Sequence, residues 1–427
     1  MFGTRAALLP LFLTFLIYPL VAWFALSRRR AGKGSALFSI VNILGAYAAC
    51  VCSFAGFPAN GIYAMPRLCE VTAVAFLFYV FLLAVNYWLL RSGAKASQLW
   101  VALIFVYPLI LLIVIKYVPQ VQPLFSGALR PIGIPQSSIL FVGLSYITFR
   151  LIHLAQEVRN ELVPMPSLLE YLSFAFFVPT LTTGPINPYS NYLRSLENLD
   201  RERTPILRSM LRLIVGLTKY IFLSTLLSQL TYAGLLRDGH PHARVDLLIA
   251  FFAYTLFLYC NFSGFCDMVI GVSGLLGIEV MENFNQPFLA RNLQEFWNRW
   301  HISLSTWLRD MMFSPMVKML ARKFGPQFTP HAIAISIMSV FIVIGVWHGV
   351  GTNYAVFGVI EGIGVISVHY YTLFIKKRLG KTGFIKYRDN PVIRAVSTAM
   401  TFTYFSFSLF FFANSWSQIQ QIFKVLI

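Results

Sequence analysis

The chain has 427 residues, of which 57% are hydrophobic, 16% aromatic and only 12% charged. A soluble domain carries roughly 25% charged residues, so this composition excludes a soluble globular enzyme, a disordered chain and a nucleic-acid-binding domain, and points to a polytopic membrane protein. The net charge of +18 arises from 34 Lys and Arg against 16 Asp and Glu. The basic residues sit in short clusters between apolar runs, the pattern of cytoplasmic loops rather than of a nucleic-acid face.

A membrane helix needs about 20 mainly apolar residues. The first such run, Ala7 to Leu26, is followed by Arg28, Arg29, Arg30 and Lys33 rather than by a small-residue cleavage site, so it is predicted to be a retained anchor entering from outside. Ala36 to Phe54 then runs outward to a loop with Pro58, Asn60 and Pro66. Val71 to Leu90 returns to Arg91 and Lys95, and Leu99 to Val118 leads out to a Pro- and Gly-rich loop at Pro119 to Pro135.

Ile139 to Ala155 is apolar yet contains Arg150 and His153, and Leu168 to Ile186 contains Pro179, Gly184 and Pro185. Charge and helix breakers at membrane depth face protein or a water-filled cavity, so broken or re-entrant elements are predicted here. A basic stretch with Arg194, Arg201, Arg203, Arg208 and Arg212 precedes spans at Ile214 to Tyr232 and Leu247 to Asn261. Glu282 to Gly325, rich in Arg, Lys, Phe and Trp, is predicted to be cytoplasmic or re-entrant. Ala332 to Gly349, Tyr354 to Phe374 and Ala395 to Phe412 complete the spans, with a basic loop from Lys376 to Arg388.

The expected fold is an all-α polytopic membrane protein with about 10 or 11 transmembrane helices plus re-entrant or interfacial helices. No linker, repeat or low-complexity segment divides it. One membrane domain over 1–427 is expected, with N-terminal spans in 1–138, a core in 139–361 and C-terminal spans in 362–427. Cys50, Cys52, Cys69, Cys260 and Cys266 lie in or beside apolar segments without metal-ligand spacing and read as packing residues. No metal and no tightly bound cofactor are expected.

Of seven histidines, His240 and His242 fall in a polar loop, while His331 and His369 lie near span ends. His153, His301 and His348 remain. His348 lies inside an apolar run in Gly345-Val346-Trp347-His348-Gly349, where an ionisable group is costly unless it faces a cavity or a partner. His301 closes the run Trp297-Asn298-Arg299-Trp300-His301. From position alone both are equally compatible with a structural histidine.

The ordered series Asn261-Phe262-Ser263-Gly264-Phe265-Cys266-Asp267, Glu282-Asn283-Phe284-Asn285, Glu295 to Ser305, Trp307-Leu308-Arg309-Asp310 and Trp347-His348-Gly349 resembles the membrane-bound O-acyltransferase superfamily. The resemblance covers about Val142 to Glu361 and implies a fold of helices around a central pore, with His348 as the catalytic residue and His301 as its partner. Gly143 to Arg150 and Phe177 to Ile186 resemble the D-alanyl transferases of bacterial teichoic acid modification. The chain departs from alginate-type acetyltransferases after Asp310, where it reads Met311-Met312-Phe313-Ser314-Pro315-Met316. It carries Asn261 where the family often has an acid, and Glu361 where a histidine is frequent.

Acyl transfer to a hydroxyl needs a base for the attacking O–H and a donor for the oxyanion. The sequence offers His348 as base. His301, Asn298 or a backbone N–H are candidates to polarise the thioester, and Arg150 and Arg299 could supply charge. Trp297, Trp300, Trp347 and Asp267 are candidate supports. No Gly-x-Ser-x-Gly elbow is present, so direct transfer without an acyl-serine is expected. The basic loops, above all Lys318, Arg322 and Lys323, suit an acidic partner: an acyl carrier protein with a phosphopantetheine arm, coenzyme A phosphates, or anionic lipid.

The resemblance also implies a bacterial cytoplasmic membrane location, a thioester donor and an extracytoplasmic partner enzyme. O-acetylation of an exported polysaccharide is the second enzyme reading. Broken helices and charges at mid-membrane also build transporters, although no repeated halves are evident, and a non-catalytic scaffold is the remaining alternative.

Overall fold

A computed structural model describes residues 17–27, 33–54, 65–93, 98–118, 143–199, 205–235, 243–349 and 351–426. The first part of the predicted anchor, Arg28 to Arg30, the loops at 58–60 and 119–135, Arg201, Arg203, His240 and His242 lie outside the described residues. The chain forms two compact units, Met1–Ile214 with Cys266–Met281, and Val215–Phe265 with Glu282–Ile427.

The helices are α1 (Tyr18–Ser27), α2 (Lys33–Phe54), α3 (Met65–Gly93), α4 (Gln98–Tyr117), α5 (Leu144–Arg159), α6 (Leu168–Ala175), α7 (Tyr189–Glu197), α8 (Ile206–Leu217), α9 (Ser224–Gln229) and α10 (Tyr232–Leu235). They continue with α11 (Arg244–Leu275), α12 (Leu293–Trp297), α13 (Ile302–Leu308), α14 (Ser314–Phe324), α15 (Thr329–His348), α16 (Thr352–Asp389), α17 (Pro391–Ala413) and α18 (Trp416–Leu426). The protein is an all-α polytopic membrane protein. Among the described residues six segments are long and apolar enough to cross a bilayer: Leu68–Gly93, Ile206–Gln229, Arg244–Leu275, Pro326–His348, Thr352–Asp389 and Pro391–Ala413. Shorter apolar stretches run over Ala36–Cys52 and Leu103–Ile115. Leu77 and Phe81 on α3 and Met400 on α17 are more than half exposed, as hydrocarbon-facing side chains should be.

In the first unit the predicted break in Leu168 to Ile186 is present. A capping box between Ser167 and Glu170 starts α6, which stops at Ala175 and gives way to a single 3₁₀ turn over Val178–Thr180. Helix α5 begins at Gly143, in the left-handed region at φ 77°, where an added Cβ would meet the Leu181 carbonyl oxygen at 2.0 Å. Arg150 on α5 is 1% exposed and reaches the end of α6. Its Nη1 donates to the Phe174 carbonyl at 3.1 Å and to Thr180 Oγ1 at 2.9 Å, and its Nη2 to the Ala175 carbonyl at 2.9 Å. The guanidinium thus satisfies carbonyls that the end of α6 leaves open. Phe38, Leu68, Ile147, Leu154, Tyr171 and Phe176 belong to the buried core of this unit, and the guanidinium lies over the Phe174 ring at 5.7 Å.

The expected span ending at Asn261 is longer in the structure: α11 carries the Phe-Ser-Gly motif inside the helix and runs on to Leu275. No proline or left-handed residue interrupts it before Gly277 at φ 75°. There the Ile278 N–H returns to the Ser273 carbonyl at 2.9 Å and the Gly277 N–H to that of Gly274 at 3.0 Å, a Schellman closure. All five cysteines are free thiols, with Cys50 and Cys266 buried.

Candidate active site

Within the second unit, Glu282 to Gly325 folds as short helices rather than as a span, because polar and aromatic residues alternate too closely for one lipid-facing stretch. His301 sits in the turn between α12 and α13 at φ 48° and ψ 50°, a left-handed conformation that few residues other than glycine and asparagine adopt without cost. The strand-like pass of 283–285 holds it there. The Asn285 N–H donates to the Arg299 carbonyl at 2.9 Å, the Ile302 N–H to the Asn283 carbonyl at 3.0 Å, and the Ser303 N–H to Asn283 Oδ1 at 3.0 Å. Phe284 and Trp300 are bridged in antiparallel fashion. A left-handed histidine clamped on both sides is the strongest backbone signal of function in this region.

The His301 side chain is 5% exposed and lies edge-on to Phe262 of α11, with ring centroids 4.8 Å apart. Its Nδ1 has no hydrogen-bond partner among the described residues. Trp300 beside it is buried against Phe284 at 5.0 Å, Phe405 of α17 at 5.1 Å and Phe296 at 5.6 Å. His301 lies outside the six apolar segments, and burial, reinforced by the neighbouring charge site of His348, pushes its pKa down to about 3. The ring is therefore neutral at physiological pH and presents an N–H without carrying a charge.

The same depression has a stability consequence. The unfolded chain protonates this ring near pH 6.5 while the folded one resists to about 3, so stability is complete above the unfolded value and falls as pH drops below it. The detergent-solubilised wild type is expected to melt lower at pH 5 than at pH 7.5, and His301→Gln to show a smaller difference. Equal differences in thermal melts would count against burial of this histidine.

His348 is the last residue of α15. Its ring contacts Phe412 edge-on at 4.9 Å, Phe357 of α16 at 6.2 Å and the adjoining Trp347 at 4.7 Å. Two glycines let α15 and α16 approach closely enough to place it. A Cβ on Gly345 would stand 2.4 Å from the Tyr354 carbonyl oxygen, and one on Gly358 2.3 Å from that of Phe341. Both histidines thus belong to one unit, and each is set by backbone geometry that few other sequences tolerate.

The remaining predicted residues separate. Trp297 donates from Nε1 to Glu361 Oε2 at 2.8 Å. Arg299 pairs with Glu295 at 2.7 Å across one helical turn, both side chains about 30% exposed, an arrangement of small energetic weight. Asn298 is exposed at the end of α12. Arg150 and Asp267 belong to the first unit, Arg150 bonded as described above and Asp267 in an ion pair with Arg212 at 2.9 Å. Lys318, Arg322 and Lys323, with Pro315 and Met319, line a depression of 530 Å³ along one exposed face of α14. Asn283 and Glu361 were not singled out as site residues by sequence reasoning. The signals were an asparagine between Glu282 and Phe284 and a lone acid inside an apolar run. Among the described residues no cluster of His, Cys, Asp and Glu is arranged to hold a metal ion.

A family model described as "MBOAT, membrane-bound O-acyltransferase family" matches residues 62–413. The chain is 30% identical to a teichoic acid D-alanyltransferase of Streptococcus thermophilus over 80% of this chain and 82% of that protein. It is 28% identical to the teichoic acid D-alanyltransferase of Bacillus subtilis over 61% and 67% of the two chains. It is also 29% identical to a probable alginate O-acetylase of Pseudomonas aeruginosa over 65% of this chain, and spans 54% of that protein. On the family match over most of its length, the chain belongs to the membrane-bound O-acyltransferase family and is an acyltransferase.

Proposed function

We propose that this acyltransferase moves a small acyl group, D-alanyl in the first instance, from a cytoplasmic thioester to a hydroxyl of an extracytoplasmic envelope polymer. The observation that carries the reading is His301: buried, in the left-handed region, and without a partner on Nδ1 among the described residues. In the reaction His348 takes the proton of the acceptor hydroxyl as its oxygen attacks the thioester carbonyl, and the neutral His301 ring donates to the oxygen that gains charge. The attack forms the new C–O bond of a tetrahedral intermediate, and its collapse restores the carbonyl and breaks the C–S bond. The proton held by His348 passes to the departing thiolate, so the free thiol of the donor leaves.

The acyl group rests on the D-alanyltransferase relatives and on the run after Asp310; the acetylase relative supports acetate as the second choice. Mild-base release of ester-linked groups from envelopes, followed by mass spectrometry, distinguishes them. D-alanine dependent on His348 supports the first reading and acetate the second. Release that persists unchanged in His348→Ala would remove that histidine from the reaction, and release of neither group would overturn both acyl assignments.

The donor is proposed to be an acyl carrier protein that meets the basic face of α14 by charge. Reversing Lys318, Arg322 and Lys323 together to glutamate is expected to weaken donor binding about tenfold or more at low salt, with a smaller effect at 0.5 M salt as screening shortens the range. The comparison to make is the donor concentration at half-maximal rate in membrane vesicles. An unchanged value removes α14 as the docking face.

A further inference from the structure

We propose that Glu361 is a positioning residue for acyl transfer, one that sets the spacing between the two histidines; this rests on the reading of His301 and His348 given above. Glu361 lies in α16, one of the apolar segments, and is 0% exposed. An acid there is costly unless it makes specific bonds. Oε2 accepts from the Trp297 indole at 2.8 Å, and the Ser408 hydroxyl of α17 donates to Oε1.

The geometry gives that bond a purpose. Helix α12 has five residues and cannot hold its own orientation. Its last residue, Trp297, meets Phe341 of α15 at 5.0 Å and Phe405 of α17 at 6.3 Å, both edge-on. Edge-on apolar contacts are non-directional and leave the indole free to slide; a directed N–H···O bond fixes it. Four residues on stands His301. On the other side of the site, Phe357 lies one turn before Glu361 on α16, on the same face, and contacts the His348 ring. One face of α16 therefore touches the His301 segment through Glu361 and His348 through Phe357. Displacement of about 1 Å between catalytic groups can cost about a hundredfold in rate, which is why a buried acid is worth retaining there.

The test follows the initial rate of envelope esterification per molecule of protein after induction, in cells carrying wild type, Glu361→Leu, Glu361→Gln, Trp297→Phe, the Trp297→Phe/Glu361→Gln double variant or His348→Ala. The amide oxygen of glutamine still accepts from the indole, so Glu361→Gln is expected to stay within about threefold of wild type while Glu361→Leu falls about tenfold or more. Trp297→Phe removes the donor and is expected to fall as far as Glu361→Leu, with the double variant no lower than Trp297→Phe, because the two residues act through one bond. Glutamine as damaging as leucine, a leucine variant as active as wild type, or losses that multiply in the double variant would overturn the proposal. If Glu361→Leu does not accumulate, Trp297→Phe against Glu361→Gln decides: a loss of about tenfold in the first with the second near wild type is expected, and equal rates in the two would overturn the proposal. Full activity of His348→Ala would instead overturn the assignment of the reaction to these histidines.

Discussion

His348→Ala is expected to lower ester release per molecule of protein by roughly 10²–10⁴-fold, the range that a positioned general base contributes. The protein itself should accumulate normally. His348 ends α15 at a partly buried position, with its ring against Phe357 and Phe412, and the close contact of Gly345 with α16 does not involve its side chain. A loss of activity with unchanged membrane abundance and thermal stability assigns the residue to chemistry. Equal loss of protein and activity would assign it to folding.

His301 should separate two effects that His348 does not combine: the strained turn and the ring. His301→Gly relieves the left-handed backbone but deletes the donor and leaves a cavity beside Phe262, so the two stability effects oppose each other and the variant is expected to be slower by roughly 10²–10³-fold, the usual loss for one oxyanion donor. His301→Asn keeps a short amide donor and tolerates φ near 50°, and is expected to fall between the two. His301→Val loses the donor and adds a β-branched side chain in a region that disfavours it, so both stability and rate should drop. Rates and melting temperatures of the three variants check this order. A glycine variant with wild-type rate would remove His301 from the reaction.

Much of the fold was legible because bilayer physics is written into local composition. Runs at Val71 to Leu90, Ala332 to Gly349 and Ala395 to Phe412 agree with the observed helices to within a few residues, and the break in Leu168 to Ile186 was readable from Pro179 and Gly184. The length of α11 was not. Asn261, Ser263 and Asp267 look like the end of an apolar span in one dimension, yet the helix continues through them to the Schellman stop at Gly277. Segment boundaries read along the chain also could not show that Cys266–Met281 rejoins the first unit while Glu282 begins again in the second.

The candidate site divides in the same way. The Trp297 to His301 and Trp347-His348-Gly349 runs, and the basic spacing of α14, are visible as residue patterns because helix periodicity and motif order are local. Arg150 and Asp267 had equal claims as charges at membrane depth, and only the folded chain shows the first bonded to the end of α6 and the second paired with Arg212. The left-handed turn at His301, the Asn283 clamp and the bond from Trp297 to Glu361 join residues up to 64 positions apart. By itself the sequence determined a helical, membrane-embedded protein, since hydropathy is a sum over neighbours. Which polar groups meet was decided by the tertiary structure, since each buried donor and acceptor must find its partner in three dimensions.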